Sequence, residues 1–316
     1  MHALAYRRYG EVDALEHLDV PAPTPKRGQL LVEVHRAALN PKDALVRKGK
    51  FAWLSGRRFP KIVGLDYAGV VRASRVTGFA EGDRVFGMLN ERTSCRGTAA
   101  ELVCVDGDEA AHLPSNAPFD DGAAIALAGL TALQALRDVA RVVAGTRIWI
   151  HGAAGGVGTL AVQLARLLGA RVTTTTSDAS RPLAEELGAH QALDRTKPYV
   201  EALAGAIDVV FDVFGNLRLD DVARVFPRGR GSYVNTIPTL GRAARDLLTR
   251  GRRLEERLVI VRSRRRDLDV LADALARGRL RAIVDARHSL NDAHAAFRRL
   301  ESKQARGKLV LTVRDP

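Results

Sequence analysis

The sequence predicts an α/β protein in two parts: a β-rich unit first, then a doubly wound parallel sheet. Three observations predict it. The first 115 residues read as short strands between glycine and proline turns. Beyond about Pro118 apolar strands alternate with helical stretches, the pattern of βαβ units. The chain has 316 residues, enough for about two domains at roughly 150 residues each.

In the first part, Pro25-Lys26-Arg27-Gly28 is a turn and Leu30 to His35 the strand behind it. Ile62 to Val71 is apolar and punctuated by glycine. Gly78 to Arg84 is a further turn, followed by the apolar run Val85-Phe86-Gly87-Met88. Short glycine-rich strands of this kind suggest a barrel-like unit. Past Pro118, Asp120 to Val139 is helix-rich and Ile148-Trp149-Ile150 is a short buried strand. Val157, Leu160, Ala161, Leu164, Leu167 and Leu168 recur at helical spacing until Gly169 stops the helix. Arg171 to Thr176 is the next strand. Leu183 to Leu187 is helical and stops at Gly188. Ile207 to Val213, Gly231 to Thr236 and Leu258 to Val261 complete the strands. Such alternation requires a parallel sheet covered on both faces. The tail reads as a helix, Asp267 to Arg277, the segment Asp285 to Ser289, a helix from Asn291, and a strand, Leu309 to Val313.

The composition, 46% hydrophobic and 27% charged, is that of an ordinary globular protein. The longest uncharged stretch, Ile148 to Ala165, is broken by His151, Gln163 and glycines, so no membrane span is expected. Charge precedes any apolar run at the N-terminus, so no secretory signal is expected. Cys95 and Cys104 are the only cysteines, and a reduced, cytoplasmic setting is the expectation. The net charge is +13. Ten arginines fall in Gly241 to Arg266 against Asp246, Glu255 and Glu256. That segment reads either as a footprint for a polyanion or as a solvated basic face. No aromatic residue interleaves with the arginines to stack on bases, so no nucleic-acid partner is expected.

The chemistry-bearing motif is His151-Gly152-Ala153-Ala154-Gly155-Gly156-Val157-Gly158, between a strand and a helix. Ala153, Gly155, Gly156, Val157 and Gly158 form the dinucleotide fingerprint, with alanine in its first glycine slot. The turn must be tight, the backbone must approach a pyrophosphate, and the helix must pack on its strand. The helix N-terminus supplies unpaired N–H donors to the phosphates. A carboxylate at the end of the next strand would bind the ribose hydroxyls of NAD. Here that strand ends Thr174-Thr175-Thr176-Ser177, with Asp178 one place into the loop and Arg181 and Arg195 nearby. Hydroxyls and guanidinium groups suit a 2′-phosphate, so NADPH is the expected cofactor. The bland alternative for each arginine is surface solvation.

These motifs, taken in order, resemble the zinc-free, quinone-oxidoreductase-like branch of the medium-chain dehydrogenase/reductase superfamily. The resemblance rests on Val20-Pro21-x-Pro23-x-Pro25, Ala37-Ala38-Leu39-Asn40-Pro41-Lys42-Asp43 and Gly64-Leu65-Asp66-x-Ala68-Gly69-Val70-Val71. It continues through Gly82-Asp83-Arg84-Val85, Ala128-Gly129-Leu130-Thr131-Ala132, the glycine loop, Leu187-Gly188-Ala189, Asp208 to Gly215 and Gly307-Lys308-Leu309-Val310-Leu311. It implies a GroES-like domain over 1–118, a Rossmann NADP-binding domain over 119–262, and a return to the first domain over 263–316. It implies that Asn40 and Thr131 line the nicotinamide end of the cleft and that Lys308 approaches the cofactor. Tyr67, inside the Gly64 to Val71 motif, is a candidate donor of a proton or hydrogen bond, its alternative being a core-edge aromatic.

Zinc-dependent relatives need about three Cys or His ligands for a catalytic metal. Their first cysteine falls near Asn40, their Gly-His-Glu segment reads Gly64-Leu65-Asp66, and their third cysteine falls near Ala128. No metal is therefore expected. The resemblance implies hydride transfer from NADPH to a quinone or to the C=C bond of an α,β-unsaturated carbonyl. Catalysis then rests on proximity and on donors to the developing oxyanion. Several relatives carry a tyrosine where this chain has Leu45, which leaves the proton donor open. A non-catalytic NADPH-binding sensor or structural protein is the alternative. The apolar run within Glu256 to Val261 suggests an edge strand, and a homodimer covering it.

Overall fold

A computed structural model describes residues 1–90 and 95–315. Two units divide the chain: Met1–Leu127 with Arg262–Pro316, and Ala128–Val261.

The first unit opens with β1 (His2–Tyr6), β2 (Glu16–Asp19) and the long β3 (Gln29–Leu39). Two short helices follow, α1 (Pro41–Arg47) and α2 (Ala52–Ser55). Then come β4 (Lys61–Ile62), β5 (Asp66–Ser74), β6 (Arg84–Met88), β7 (Leu102–Asp106) and β8 (Ala111–His112). On one side of β3, Leu30, Val32 and Val34 are buried against Val71, Val85, Val103 and Val105. This alternation is what sets strand register.

Helix α3 (Phe119–Leu133) continues into a π-helical turn, Gln134–Val139. The whole stretch is long and apolar enough to cross a membrane by length and composition, but most of it is buried inside the protein, as a core helix is. The unit division falls within α3, not at residue 118, because its first half is tied to the first unit. Phe119 stacks on His35 and Asp120 pairs with Arg36 at 2.8 Å.

The second unit is a six-stranded parallel sheet. Its elements are β9 (Arg147–His151), α4 (Gly156–Leu167), β10 (Arg171–Thr176), α5 (Arg181–Glu186), β11 (Gln191–Asp194) and α6 (Tyr199–Ala202). They continue as β12 (Val209–Asp212), α7 (Leu219–Val225), β13 (Gly231–Asn235), α8 (Leu240–Thr249) and β14 (Leu254–Leu258). The strand order is β11-β10-β9-β12-β13-β14. In sequence order that is 3-2-1-4-5-6, the Rossmann arrangement, which reverses direction beside its first strand. Trp149, Val210, Val222, Val225 and Tyr233 fill one face of this sheet.

Two expectations are corrected here. The last strand is Leu254–Leu258, not Leu258 to Val261, because its register follows β13 from Gly231↔Leu254 to Asn235↔Leu258. Ile260 lies beyond it and is 69% exposed. The basic segment contains a helix, α8, that hydrophobic periodicity did not reveal, since none of its residues is buried. Electrostatics hold it in place: Arg245 pairs with the buried Glu256 of β14, and Asp246 with Arg257 at 3.0 Å. Arg242 and Arg250 also pair with acids of this segment, so much of its charge is matched locally.

The chain returns to the first unit as α9 (Arg265–Ala276), β15 (Val284–Ser289), α10 (Ala293–Glu301) and β16 (Lys308–Thr312). Strand β16 inserts between β15 and β3, in the order β15-β16-β3-β5-β6-β8, with β7 also paired to β3. A smaller sheet, β2-β1-β4, completes the unit.

Candidate active site

The glycine loop leaves β9 at His151 and enters α4 through Gly155, the residue that caps the helix. Gly152 makes the turn at φ +97°, a conformation that favours glycine. A side chain at Gly158 would stand 2.0 Å from the Gly152 carbonyl oxygen, so this glycine lets helix and turn touch. Gly155 differs. A Cβ there would meet only the Gly152 oxygen, at 3.9 Å. Protein packing does not account for that glycine, whereas a pyrophosphate drawn against the backbone does. The loop, with Ala153 buried behind it and Gly156 and Val157 opening the helix, therefore fits a dinucleotide.

A buried polar chain supports the loop. The Trp149 indole N–H donates to Thr175 Oγ1 at 3.1 Å, and that hydroxyl meets His151 Nδ1 at 2.7 Å. His151 Nε2 faces Asn216 Oδ1 at 3.1 Å. Trp149 can only donate. The arrangement that uses every group therefore has Thr175 donating to Nδ1 and a neutral His151 donating from Nε2. Burial lowers the His151 pKa, in keeping with a neutral ring. On the other side of the loop, the buried Asp212 accepts from the Gly215 and Leu217 N–H groups and from the Tyr233 hydroxyl.

Thr176 of β10 pairs in register with Asp194 of β11, so Ser177 and Arg195 follow at adjacent strand ends. The Arg195 N–H donates to the Thr176 carbonyl at 2.9 Å. Its side chain is exposed, and no carboxylate pairs with it among the described residues. Arg181 is paired with Asp178 at 2.6 Å, and Ser177 donates to the Ser180 hydroxyl at 3.0 Å. The two arginines are thus unequal: Arg195 is unengaged, whereas Arg181 shares its charge with a surface acid, a weak competitor.

The first unit holds a buried polar cluster. Pro41 starts α1, and Asn40 precedes it with its backbone N–H bonded to Asp43 Oδ2 at 2.7 Å. The Asn40 side chain turns the other way. Its Oδ1 accepts from Lys308 Nζ at 2.6 Å, and its Nδ2 donates to Asp66 Oδ2 at 3.0 Å. Lys308 Nζ also donates to Asp66 Oδ2 at 2.9 Å, while Asp66 Oδ1 accepts the Leu127 N–H at 2.8 Å. Burial pushes the Asp43 carboxyl up to about 7, with the Asn40 N–H opposing the shift.

Lys308 is thus brought to Asn40, and two of its three donors are spent inside the unit. The cluster carries its own cation beside Asn40 and Asp66, two of the positions compared above with zinc-binding segments. Among the described residues no three of His, Cys, Asp and Glu converge on one point. Tyr67 is corrected to the bland reading: it is fully buried, and its hydroxyl donates to the Glu109 carbonyl at 2.9 Å. Leu45 lies partly exposed on α1. Thr131 is buried in α3 and belongs to the second unit. Sequence reasoning missed Asp66 as a partner of Lys308, Gly152 as the turn residue, and His151 beneath the loop. Gly152 could have been found from its place directly after an apolar strand.

Comparison with known proteins covers both units. A family described as alcohol dehydrogenase GroES-like domain matches residues 26–115, and one described as zinc-binding dehydrogenase matches 187–311. The chain is 34% identical to a 2-methylene-furan-3-one reductase of Solanum lycopersicum, over 98% of this chain and 79% of the relative. It is 31% identical to a quinone oxidoreductase of Sus scrofa, over 98% and 97%. The chain belongs to the quinone-oxidoreductase-like branch of the medium-chain dehydrogenase/reductase superfamily. Among solved structures of this superfamily, the quinone oxidoreductase of Coxiella burnetii superposes with a TM-score of 0.88 at 29% identity, covering 99% of both chains. The superfamily's GroES-like and Rossmann domains correspond to the two units described.

Proposed function

We propose that this protein transfers a hydride from NADPH to a quinone or to the C=C bond of an α,β-unsaturated carbonyl, without a metal. The observation that carries the reading is the Asn40–Asp66–Lys308 cluster. Within the segments compared with zinc-binding ones this chain has an amide, Asn40, and a carboxylate, Asp66, bonded to each other and to the ammonium of Lys308. A cation and an amide are suited to fixing and polarising an oxygen-bearing acceptor. The acceptor class comes from the relatives, which are named a quinone oxidoreductase and a 2-methylene-furan-3-one reductase.

NADPH, when bound, supplies the hydride. The glycine loop would take its pyrophosphate, and Ser177, Arg181 and Arg195 its 2′-phosphate. Asp66 holds Lys308 and Asn40 in place, and the Asn40–Asp43 bond fixes the start of α1. The reading extends to a homodimer covering β14, the edge of the parallel sheet. Loss of NADPH absorbance with a small quinone and with a simple enone tests the activity. A second reading, a non-catalytic NADPH-binding protein, draws on Leu45 and on the spent hydroxyl of Tyr67, which take away the two tyrosine donors weighed from the sequence. Tight NADPH binding without turnover on either acceptor would favour it.

A further inference from the structure

We propose that a cavity beside Lys61 in the first unit binds a carboxylate, and that the acceptor this protein reduces therefore carries one. The proposal rests on the reductase reading above and narrows its substrate class. The cavity measures about 70 Å³, and Tyr6, Asp43, Phe51, Lys61, Asn90 and Arg96 are among its lining residues. A water needs roughly 10–15 Å³ of such space, so the cavity takes a group of a few heavy atoms, not a ring system.

Lys61 opens β4 and is 4% exposed. Its ammonium donates to the Ser55 carbonyl at 2.6 Å and lies 5.6 Å from the centre of the Phe59 ring. Neither partner carries a charge. Among the described residues no carboxylate pairs with Lys61. Taking a charge out of water costs several kcal/mol unless it is paired. A cap on the end of the four-residue α2 offsets little of that. Tyr6 supplies a second donor. It is buried, and its hydroxyl has no partner among the described residues. Burial raises its pKa, so it remains a neutral donor.

The other polar groups of the wall are already committed. Arg96 pairs with the buried Glu109 and donates to the Cys104 carbonyl at 3.0 Å. Glu109 also accepts the Asn90 N–H at 2.7 Å, so one carboxylate fixes two lining residues. Asp43 accepts from Asn40, and Lys308 and Lys42 are the cations that bear most on it. Among the described residues of the wall, one unmatched ammonium and one neutral hydroxyl remain. A carboxylate presents two oxygens and gains charge-assisted bonds from such a pair.

A matched pair of acceptors tests this: trans-4-oxo-2-pentenoate and its methyl ester, which share the C=C bond and differ in charge. With NADPH, the wild-type protein should show a kcat/KM about tenfold higher on the acid, with the difference in KM. Lys61→Met should bring the acid-to-ester ratio near one, and Lys61→Arg should keep most of it. Circular-dichroism melting establishes that each variant is folded. If Lys61→Met does not fold, Tyr6→Phe is read in the same ratio, with a severalfold fall expected. Equal kcat/KM on acid and ester in the wild type overturns the proposal, as does a preference that survives Lys61→Met. An equal fall on both substrates would place Lys61 at the reacting carbonyl and overturns it too. Absence of NADPH oxidation with acid, ester and quinone alike is instead a failure of the reductase reading. Calorimetric titration with the saturated 4-oxopentanoate then decides separately. Binding weakened about tenfold by Lys61→Met supports the site, and no binding to the wild type overturns it.

Discussion

Burial pushes the Asp43 carboxyl up to about 7, and that has a sign. An unfolded chain releases this proton near the ordinary aspartate value of about 4, whereas the folded chain keeps it until about 7. The contribution of Asp43 to stability is full below about pH 4 and declines as pH rises through that window. Urea unfolding of wild type and Asp43→Asn should show the wild type losing ground to the variant from about pH 4 to 7. A difference independent of pH would contradict this. Lys308 makes the opposite kind of case. Lys308→Met would leave the buried Asp66 without its cation, and breaking such a pair costs about 3–5 kcal/mol. The expected outcome is a destabilisation of that order in the same urea assay. The sequence pointed to Asn40 and Lys308 through short motifs. It did not show that they touch, because 268 positions separate them and no local pattern records so distant a contact.

The loop between β9 and α4 separates two glycine roles that look alike in the sequence. Gly158→Val would drive a side chain into the Gly152 backbone and should fail to fold stably. Gly155→Val meets open space and should fold, yet lose NADPH, because its side chain occupies the approach to the backbone. Melting curves and fluorescence titration of both variants check this, and wild-type affinity in a folded Gly155→Val protein would show the loop is not the site. At the ends of β10 and β11, NADPH should bind roughly tenfold more tightly than NADH. Arg195→Ala should remove most of that preference and Arg181→Ala less, since Arg181 already has Asp178. Equal affinities for the two nucleotides in the wild type would refute it. The strands of the parallel sheet were legible because they are short apolar runs bounded by glycine. Helix α8 was not, because Leu240, Leu247 and Leu248 are among its exposed residues and salt bridges, not burial, anchor it.

That exposed helix bears on assembly. Leu240 is 93% and Leu247 69% exposed, beside the edge strand β14. An apolar surface next to an unpaired sheet edge is a hazard unless covered. The reading of a homodimer gains from these leucines, while Glu256, buried against Arg245, is not available to a second chain. Light scattering at micromolar protein should give about twice the 34.2 kDa of one chain, and Leu247→Asp should shift it to the monomer. A mass of one chain in the wild type would end the proposal. The two-part plan was legible from the change of pattern near Pro118. The point of division was not, because α3 begins in one unit and ends in the other, and only its packing partners decide where each half belongs.

The position of β16 also sets an order of events during synthesis. The parallel sheet is built from one uninterrupted stretch of chain and can form as soon as that stretch leaves the ribosome. The β-rich unit cannot, since β3 gains its neighbour β16 only after some 270 further residues have been made. Until then Asn40 and Asp66 lack their ammonium partner, and the Arg36–Leu39 end of β3 lacks a neighbour on the edge whose other end β7 covers. Strands made before the parallel sheet are therefore completed after it, and a nascent chain stalled before Lys308 would join a finished parallel sheet to an open, aggregation-prone one.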